Sequence, residues 1–234
     1  ILVGASPLFL STKDLTTAGY VENMEPGAAS GVAFENETST GTPVVKTAGK
    51  SYTESLNADA TNKFRNVGYT NNGLQITYNP SYGSVTVDQL LDTAKLFKET
   101  MEVMIATEMA EGTLENILAV FGQGTSTLVD SGTGAAAKRT LGLEAGALGQ
   151  APNERQLVAV GAAPQGGNAT ADGTLGLITE RVYYARRVLS VQQSQFSLAR
   201  NAASTFPVTF RLLPSGASAD AGAEYGTIVD RTWL

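Results

Sequence analysis

The sequence predicts a mainly β protein: a β-sandwich or partly rolled sheet with one short flanking α-helix and long loops. Several segments alternate apolar and polar residues with a period of two, which is typical of strands with one buried face. Only one segment has clear helical spacing. The composition agrees, because 16% charged residues and 25 glycines suit short strands joined by turns. With 234 residues, 42% of them hydrophobic, we expect one domain over residues 1–234.

The clearest strand is FPVTFRLL, in which every second residue is apolar: Phe206, Val208, Phe210 and Leu212. The same alternation begins at Leu74 in LQITY and at Met101 in MEVMIAT. Weaker strand candidates are SVTVDQ, QLVAVG and YGTIVD. The segment over residues 175–191 is longer than an ordinary strand of about five or six residues, so it either bends or crosses a wide sheet.

The predicted helix follows Thr113. Apolar residues there have the spacing i, i+3, i+4, i+7, which forms one stripe that packs on the sheet: Leu114, Ile117, Leu118 and Phe121. Thr113 is a suitable N-cap and Gly122 is a suitable C-terminal stop. A helix this short is marginal alone, so it depends on packing against strands.

Two regions carry few signals of regular structure and are predicted as long loops. The region over residues 36–66 is polar, and the region over residues 122–153 is rich in Gly, Ala and Thr. Loops longer than about 12–15 residues are uncommon in compact domains and are usually functional or disordered. Two alternatives therefore stay open, namely surfaces that order against a partner and flexible surface loops.

The composition excludes several functions. The chain contains neither Cys nor His, which excludes thiol nucleophiles, Ser-His-Asp triads, disulfides and His-based metal sites. The net charge is −6, and no basic run is long enough to neutralise a nucleic-acid backbone. No apolar run reaches the roughly 18–20 residues of a membrane helix, so we expect a soluble protein without membrane insertion.

Carboxylates and glycine-rich stretches were the remaining candidates for chemistry. Glu108, Glu111 and Glu115 would share a face of a continuous helix, but Gly112 and the cap at Thr113 place the first two before the helix begins. The paired glycines in FGQGTST and DSGTGAAAK complete no phosphate-binding motif. We therefore expect no catalytic residue, cofactor or metal, and the protein is predicted not to be an enzyme.

The order of elements carries a resemblance. A strand ending at Tyr78 is followed by SVTVDQ, with Val87, Asp88 and Gln89, and then by ETMEVMIATEMAEGTLENILAVFG. Near the end come FPVTFRLLP and EYGTIVDRTW. This order resembles that of the major tail tube proteins of long-tailed bacteriophages.

The resemblance implies a structural virion protein that assembles into stacked hexameric rings. These rings form the hollow tail tube through which DNA passes into the host without specific binding. The implied partners are further copies of the chain, a tape-measure protein and tail-completion proteins. The implied location is the tail of the virion, after assembly in the host cytoplasm.

Two other functions stay open at this point. One is another virion β-protein, such as a head decoration or tail-completion protein. The other is a carboxylate-dependent glycan hydrolase, which would need two carboxyl groups roughly 5–10 Å apart and could use Asp88 or Glu111.

Overall fold

The computed structural model describes residues 6–14, 52–57, 63–86, 93–163, 178–192, 194–195 and 204–233. The strands are β1 Leu8–Ser11, β2 Phe64–Asn66, β3 Thr70–Thr86, β4 Thr93–Met109, β5 Leu128–Ser131, β6 Lys138–Leu141, β7 Arg155–Ala162, β8 Ile178–Ser190, β9 Phe206–Leu212 and β10 Gly226–Trp233. The helices are α1 Tyr52–Asn57 and α2 Leu114–Val120. Short 3₁₀ turns lie at Thr125–Thr127, Gly134–Ala136 and Ser218–Asp220. The described chain is therefore mainly β, as predicted.

Eight of the strands form one antiparallel sheet. Seven of them follow the order β2-β1-β7-β8-β9-β4-β3, and the eighth, β10, branches from it by pairing with β8. The long strand β8 makes this branch possible. Its residues 178–185 pair with β10, whereas residues 188–190 pair with β9 on the same edge. The predicted long strand thus crosses a wide sheet. The strands β5 and β6 form a separate hairpin.

The sheet folds over on itself around the main core. This core combines side chains of β1 and β7, such as Leu10 and Leu157, with side chains of β4 and β9, such as Ile105 and Phe210. The sheet must curl, because β2 and β3 lie at opposite ends of the strand order but are joined by residues 67–69 alone. The α2 residues Ala119 and Val120 belong to the same core. The architecture agrees with the predicted β-sandwich or partly rolled sheet.

A second, smaller core covers the opposite face of β1, β7 and β8. It contains Tyr52 and Leu56 of α1 together with Phe9, Phe64, Val158, Val160, Val182 and Tyr184. Because β1 and β7 are covered on both faces, their apolar residues form continuous runs rather than an alternation. The helix α1 is therefore a second flanking helix, which the sequence prediction of one helix missed.

Both predicted long loops contain regular structure and need correction. Within residues 36–66, α1 covers the sheet and β2 pairs with β1 from Phe9↔Asn66 to Ser11↔Phe64. Residues 36–51 and 58–62 lie outside the described residues. Within residues 122–153, β5 pairs with β6 from Leu128↔Leu141 to Ser131↔Lys138. The reason is that β2 and β5 have only three or four residues, too few to show a period.

Candidate functional site on the projecting hairpin

The hairpin of β3 and β4 is much longer than the body of the protein requires. Each strand has 17 residues, about three times the usual strand length. The neighbouring strand β9 pairs with β4 only from Met104 to Met109. We call the outer part of this hairpin, residues 76–86 and 93–102, the arm. Within the described residues, the arm contains ladder pairs only between β3 and β4, and no third strand joins it.

One face of the arm continues the core face of the sheet into solvent. Residues opposite each other in an antiparallel ladder share a face, and Ile76 lies opposite the buried Ile105. Tyr78 and Tyr82 follow Ile76 at even spacing on the same face of β3, since the strand alternates with a period of two. Leu96 joins them because it lies opposite Ser84, which is two residues beyond Tyr82.

These apolar side chains are open to solvent. The exposed fraction is 45% for Ile76, 58% for Tyr78, 59% for Tyr82 and 64% for Leu96. On the opposite face, Phe97 is 46% exposed. Large apolar patches on a protein surface commonly mark interaction sites. The arm therefore presents an exposed apolar face of this kind.

A β-bulge divides the arm. The register passes from Ser81↔Thr100 to Tyr82↔Lys98, so Glu99 has no partner of its own in the ladder. Next to the bulge, Lys98 Nζ lies 3.4 Å from the Tyr78 hydroxyl and 5.8 Å from the centre of its ring. The ammonium group thus lies over an aromatic ring, which is a favourable electrostatic contact.

The helix α2 begins and ends as predicted. The Thr113 hydroxyl accepts a hydrogen bond from the Asn116 N–H at 3.3 Å and caps the first turn. At the other end, the N–H of Gly122 donates to Ala119 O and the N–H of Gln123 donates to Leu118 O. This pair of bonds is a Schellman motif, and it needs the positive φ of +65° at Gly122.

The stripe on α2 lies partly where it was predicted. Leu118 is 2% exposed and Ile117 packs against the main core. Leu114 is half-buried, whereas Phe121 lies at the edge with 37% exposure. Ala119 and Val120, which the stripe omitted, are buried in the main core. Most buried residues of α2 therefore lie in its C-terminal turn, at residues 118–120, and not along the whole predicted stripe.

Sequence reasoning missed the polar residue that fixes α2 in place. Asn116 is completely buried, and its Nδ2 donates to Val67 O and Glu111 O, both at 2.8 Å. Its Oδ1 accepts a bond of 2.7 Å from Arg65 Nη2. These bonds tie the helix to the segment between β2 and β3. No feature of the sequence distinguishes this Asn from an exposed one.

The three glutamates near α2 do not form a common site. Glu108 accepts from Asn71 Nδ2 at 3.1 Å, and Glu115 accepts from Arg139 Nη1 at 2.5 Å. Glu111 accepts from the Tyr69 N–H at 3.1 Å, close to Gly68. Each carboxylate has a different partner, and a search of the described residues found no group of three acidic side chains placed to hold a metal ion.

The motif residues Val87, Asp88 and Gln89 lie outside the described residues. The glycan hydrolase alternative needs two carboxyl groups across a groove, and its candidate Asp88 is one of these residues. A small polar cleft of about 160 Å³ lies between β3, β4 and β9, with Glu108 as the titratable side chain in its lining. This cleft does not provide the carboxylate pair within the described chain.

Three arginines lie next to acidic or carbonyl groups; Arg155 and Arg186 are buried, and Arg187 is half-buried. Arg186 and Asp220, 4% and 5% exposed, form an ion pair of 3.1 Å that holds the segment after β9 against β8. Arg187 binds both oxygens of Glu154 at 2.6 and 2.9 Å.

Burial lowers the pKa of Arg155 to about 10, although Asp14 opposes this shift. Arg155 therefore stays charged at neutral pH and donates to Ser11 O at 3.1 Å.

Neither a scan against protein-family models nor a search of curated proteins found a match for this chain. In the described residues, no helix is long and apolar enough to cross a membrane.

Proposed function

We propose that this chain is a structural subunit that assembles with further copies of itself. The observation that carries the proposal is the arm, whose apolar face continues the core face of the sheet and stays exposed in the single chain. Burying that face against a neighbouring copy would remove apolar surface from water, which is the main driving force of association. The outer edges of β3 and β10 would also be covered in such an assembly.

Within this class, the function supported best is that of a major tail tube protein of a long-tailed bacteriophage. The curled antiparallel sheet with α2 against it is consistent with the resemblance of the sequence to that family. Hexameric rings would stack into a hollow tube around a tape-measure protein, and tail-completion proteins would close its ends. The subunit would be assembled in the host cytoplasm and carried in the tail of the virion.

The charge of the chain suits a conduit for DNA. A ring of six copies would carry a formal charge of about −36, six times −6. A lumen of that sign repels phosphates, so DNA would pass without being held by backbone contacts. The protein would act by assembly and passive conduction.

Electron microscopy of the concentrated, purified chain tests this proposal. We expect stacked rings with a central channel. A protein that stays strictly monomeric at high concentration would contradict self-assembly of any kind. A head decoration or tail-completion protein remains the second candidate, and copy number distinguishes it, since a tube subunit is among the most abundant proteins of a virion.

A further inference from the structure

The free edge of the arm carries a symmetric order of charges. Along β4, Lys95–Glu102 has the sequence KLFKETME. Two lysines at positions 1 and 4 are followed by two glutamates at positions 5 and 8. If a second copy of this segment runs antiparallel to the first, the outer lysine, Lys95, comes to lie near the outer glutamate, Glu102, of the other copy.

Among the described residues, no strand pairs with β4 beyond Met104 on this edge, because β9 leaves it. The register of β9 on β4, with Met104↔Arg211 as its last pair, would next place Leu212 opposite Val103 and Pro214 opposite Met101. Proline has no N–H and cannot continue the ladder. Instead, the Tyr225 hydroxyl lies 3.5 Å from Met101 O, a long hydrogen bond. Along the remaining part of β4, no strand of the described residues pairs with this edge.

An open cleft of about 490 Å³ follows this edge. It is lined on one side by arm residues, including Lys98, Thr100 and Met101, and on the other by the turn over residues 222–226. The cleft therefore leaves room beside the backbone of β4. An incoming strand would replace the contact between Tyr225 and Met101.

The bulge makes the charge order compatible with self-pairing. In a regular strand, residues seven positions apart point to opposite faces, so Lys95 and Glu102 could not meet across a two-fold axis. Here Lys95 lies opposite Val85 and Glu102 lies opposite Asn79, and these two β3 residues are six apart. Lys95 and Glu102 therefore share a face.

Leu96 and Met101, which would form an apolar pair between the two copies, also share a face. Leu96 lies opposite Ser84 and Met101 lies opposite Pro80, and these two residues of β3 are four apart. Leu96 and Met101 thus share the other face of the arm. The extra residue in β4 brings both pairs into the arrangement that a two-fold axis perpendicular to the sheet requires.

We propose that two copies of the chain pair antiparallel along this edge and join their arms into one four-stranded sheet. Lys95 of each copy lies opposite Glu102 of the second copy, and Leu96 lies opposite Met101 of the second copy. Lys98 and Glu99 lie on opposite faces of the arm, because Lys98 lies opposite Tyr82 whereas the Glu99 carboxylate lies over Gly83, so these two residues add no ion pair across the axis. The contact is closed, so it produces a dimer and does not depend on the proposed tube.

The charge order favours a second copy of this edge over the other long free edge. The strand β3 contains no charged residue over its 17 positions, so it offers nothing to the lysines and glutamates of β4. Opposite charges placed directly across a ladder stabilise the pairing, and like charges destabilise it.

Charge reversal tests the dimer by analytical ultracentrifugation over a range of concentrations. We expect Lys95→Glu alone and Glu102→Lys alone each to weaken dimerisation about tenfold, because two attractive pairs become repulsive. The double variant Lys95→Glu/Glu102→Lys should restore it. An equimolar mixture of the two single variants should form mixed dimers, because every pair is again attractive.

Glu102 also lies 3.6 Å from Arg211 within its own chain. Arg211→Ala therefore serves as a control and should leave dimerisation unchanged.

The chain has no cysteine, so introduced cysteines allow a second measurement by disulfide formation. A mixture of the variants Phe97→Cys and Thr100→Cys should form mixed disulfide dimers faster than either variant alone, since these residues would lie opposite each other. A wild-type chain without dimers, or charge-swapped variants that fail to regain pairing, would overturn the proposal, and neither result bears on ring formation.

Discussion

Replacing two tyrosines on the arm should separate folding from assembly. Tyr78 and Tyr82 lie on one face of β3, and both are more than half exposed in the single chain. We consider the double variant Tyr78→Thr/Tyr82→Thr, because threonine keeps a high preference for strands while it removes the aromatic rings. Neither residue belongs to β4, so this variant keeps Lys95 and Glu102 of that edge and removes only the contact between Lys98 and the Tyr78 ring.

The structure sets the expected magnitude. Full burial of a large apolar side chain stabilises by roughly 1.5–3 kcal/mol. Exposed fractions of 58% and 59% leave about 1 kcal/mol for each tyrosine to contribute on assembly. The double variant should therefore weaken each contact between subunits by about 2 kcal/mol, or about 30-fold. Its free energy of unfolding should fall by about 1–2 kcal/mol, since roughly two fifths of each side chain is already buried in the single chain, and the chain should stay folded.

Two measurements check this prediction. Light scattering at increasing protein concentration gives the threshold for assembly, and urea denaturation gives the free energy of unfolding. Tyr69→Thr is the matched control, because Tyr69 is 81% exposed but lies outside the arm. If the control raises the threshold as much as the double variant does, or if the double variant assembles like wild type, the assignment of the assembly surface to the arm is wrong.

Three further predictions concern stability and are checked by urea denaturation. Asn116→Leu should destabilise the chain by about 3 kcal/mol, because it leaves buried carbonyl groups without donors. The control Asn71→Leu, at an exposed position, should change stability by less than about 0.5 kcal/mol. Equal effects of the two substitutions would contradict the role of Asn116. Gly226→Ala should cost clearly more than Gly73→Ala, since both glycines have positive φ but only at Gly226 would a Cβ collide with backbone, at the carbonyl oxygen of Tyr184. Asp220→Asn should cost about 3–5 kcal/mol, because it leaves the buried guanidinium of Arg186 without its counter-charge, and a loss below about 1 kcal/mol would show that the ion pair contributes little.

The sequence predicted the elements whose pattern is local. β9 alternates buried and more exposed residues along its length, as its period of two indicated. The ends of α2 followed from Thr113 and Gly122, because capping chemistry depends on neighbouring residues alone. The long strand β8 was recognisable from its length, although its two successive partners on one edge were not.

The missed elements depend on contacts that are distant in sequence. β1 has four residues, all buried on both faces, so it has no alternation to detect. α1 has six residues and is stabilised by packing Tyr52 and Leu56 on the sheet. The exposed face of the arm could not be predicted either, because LQITY has the pattern of an ordinary half-buried strand although Ile76 and Tyr78 are exposed.

A cryo-electron microscopy reconstruction of the assembled chain tests the proposed function most directly. We expect rings of six subunits stacked around an open channel, with the aromatic side chains of Tyr78 and Tyr82 buried against a neighbouring subunit. An assembly without rings, or one in which the apolar face of the arm remains in solvent, would contradict it.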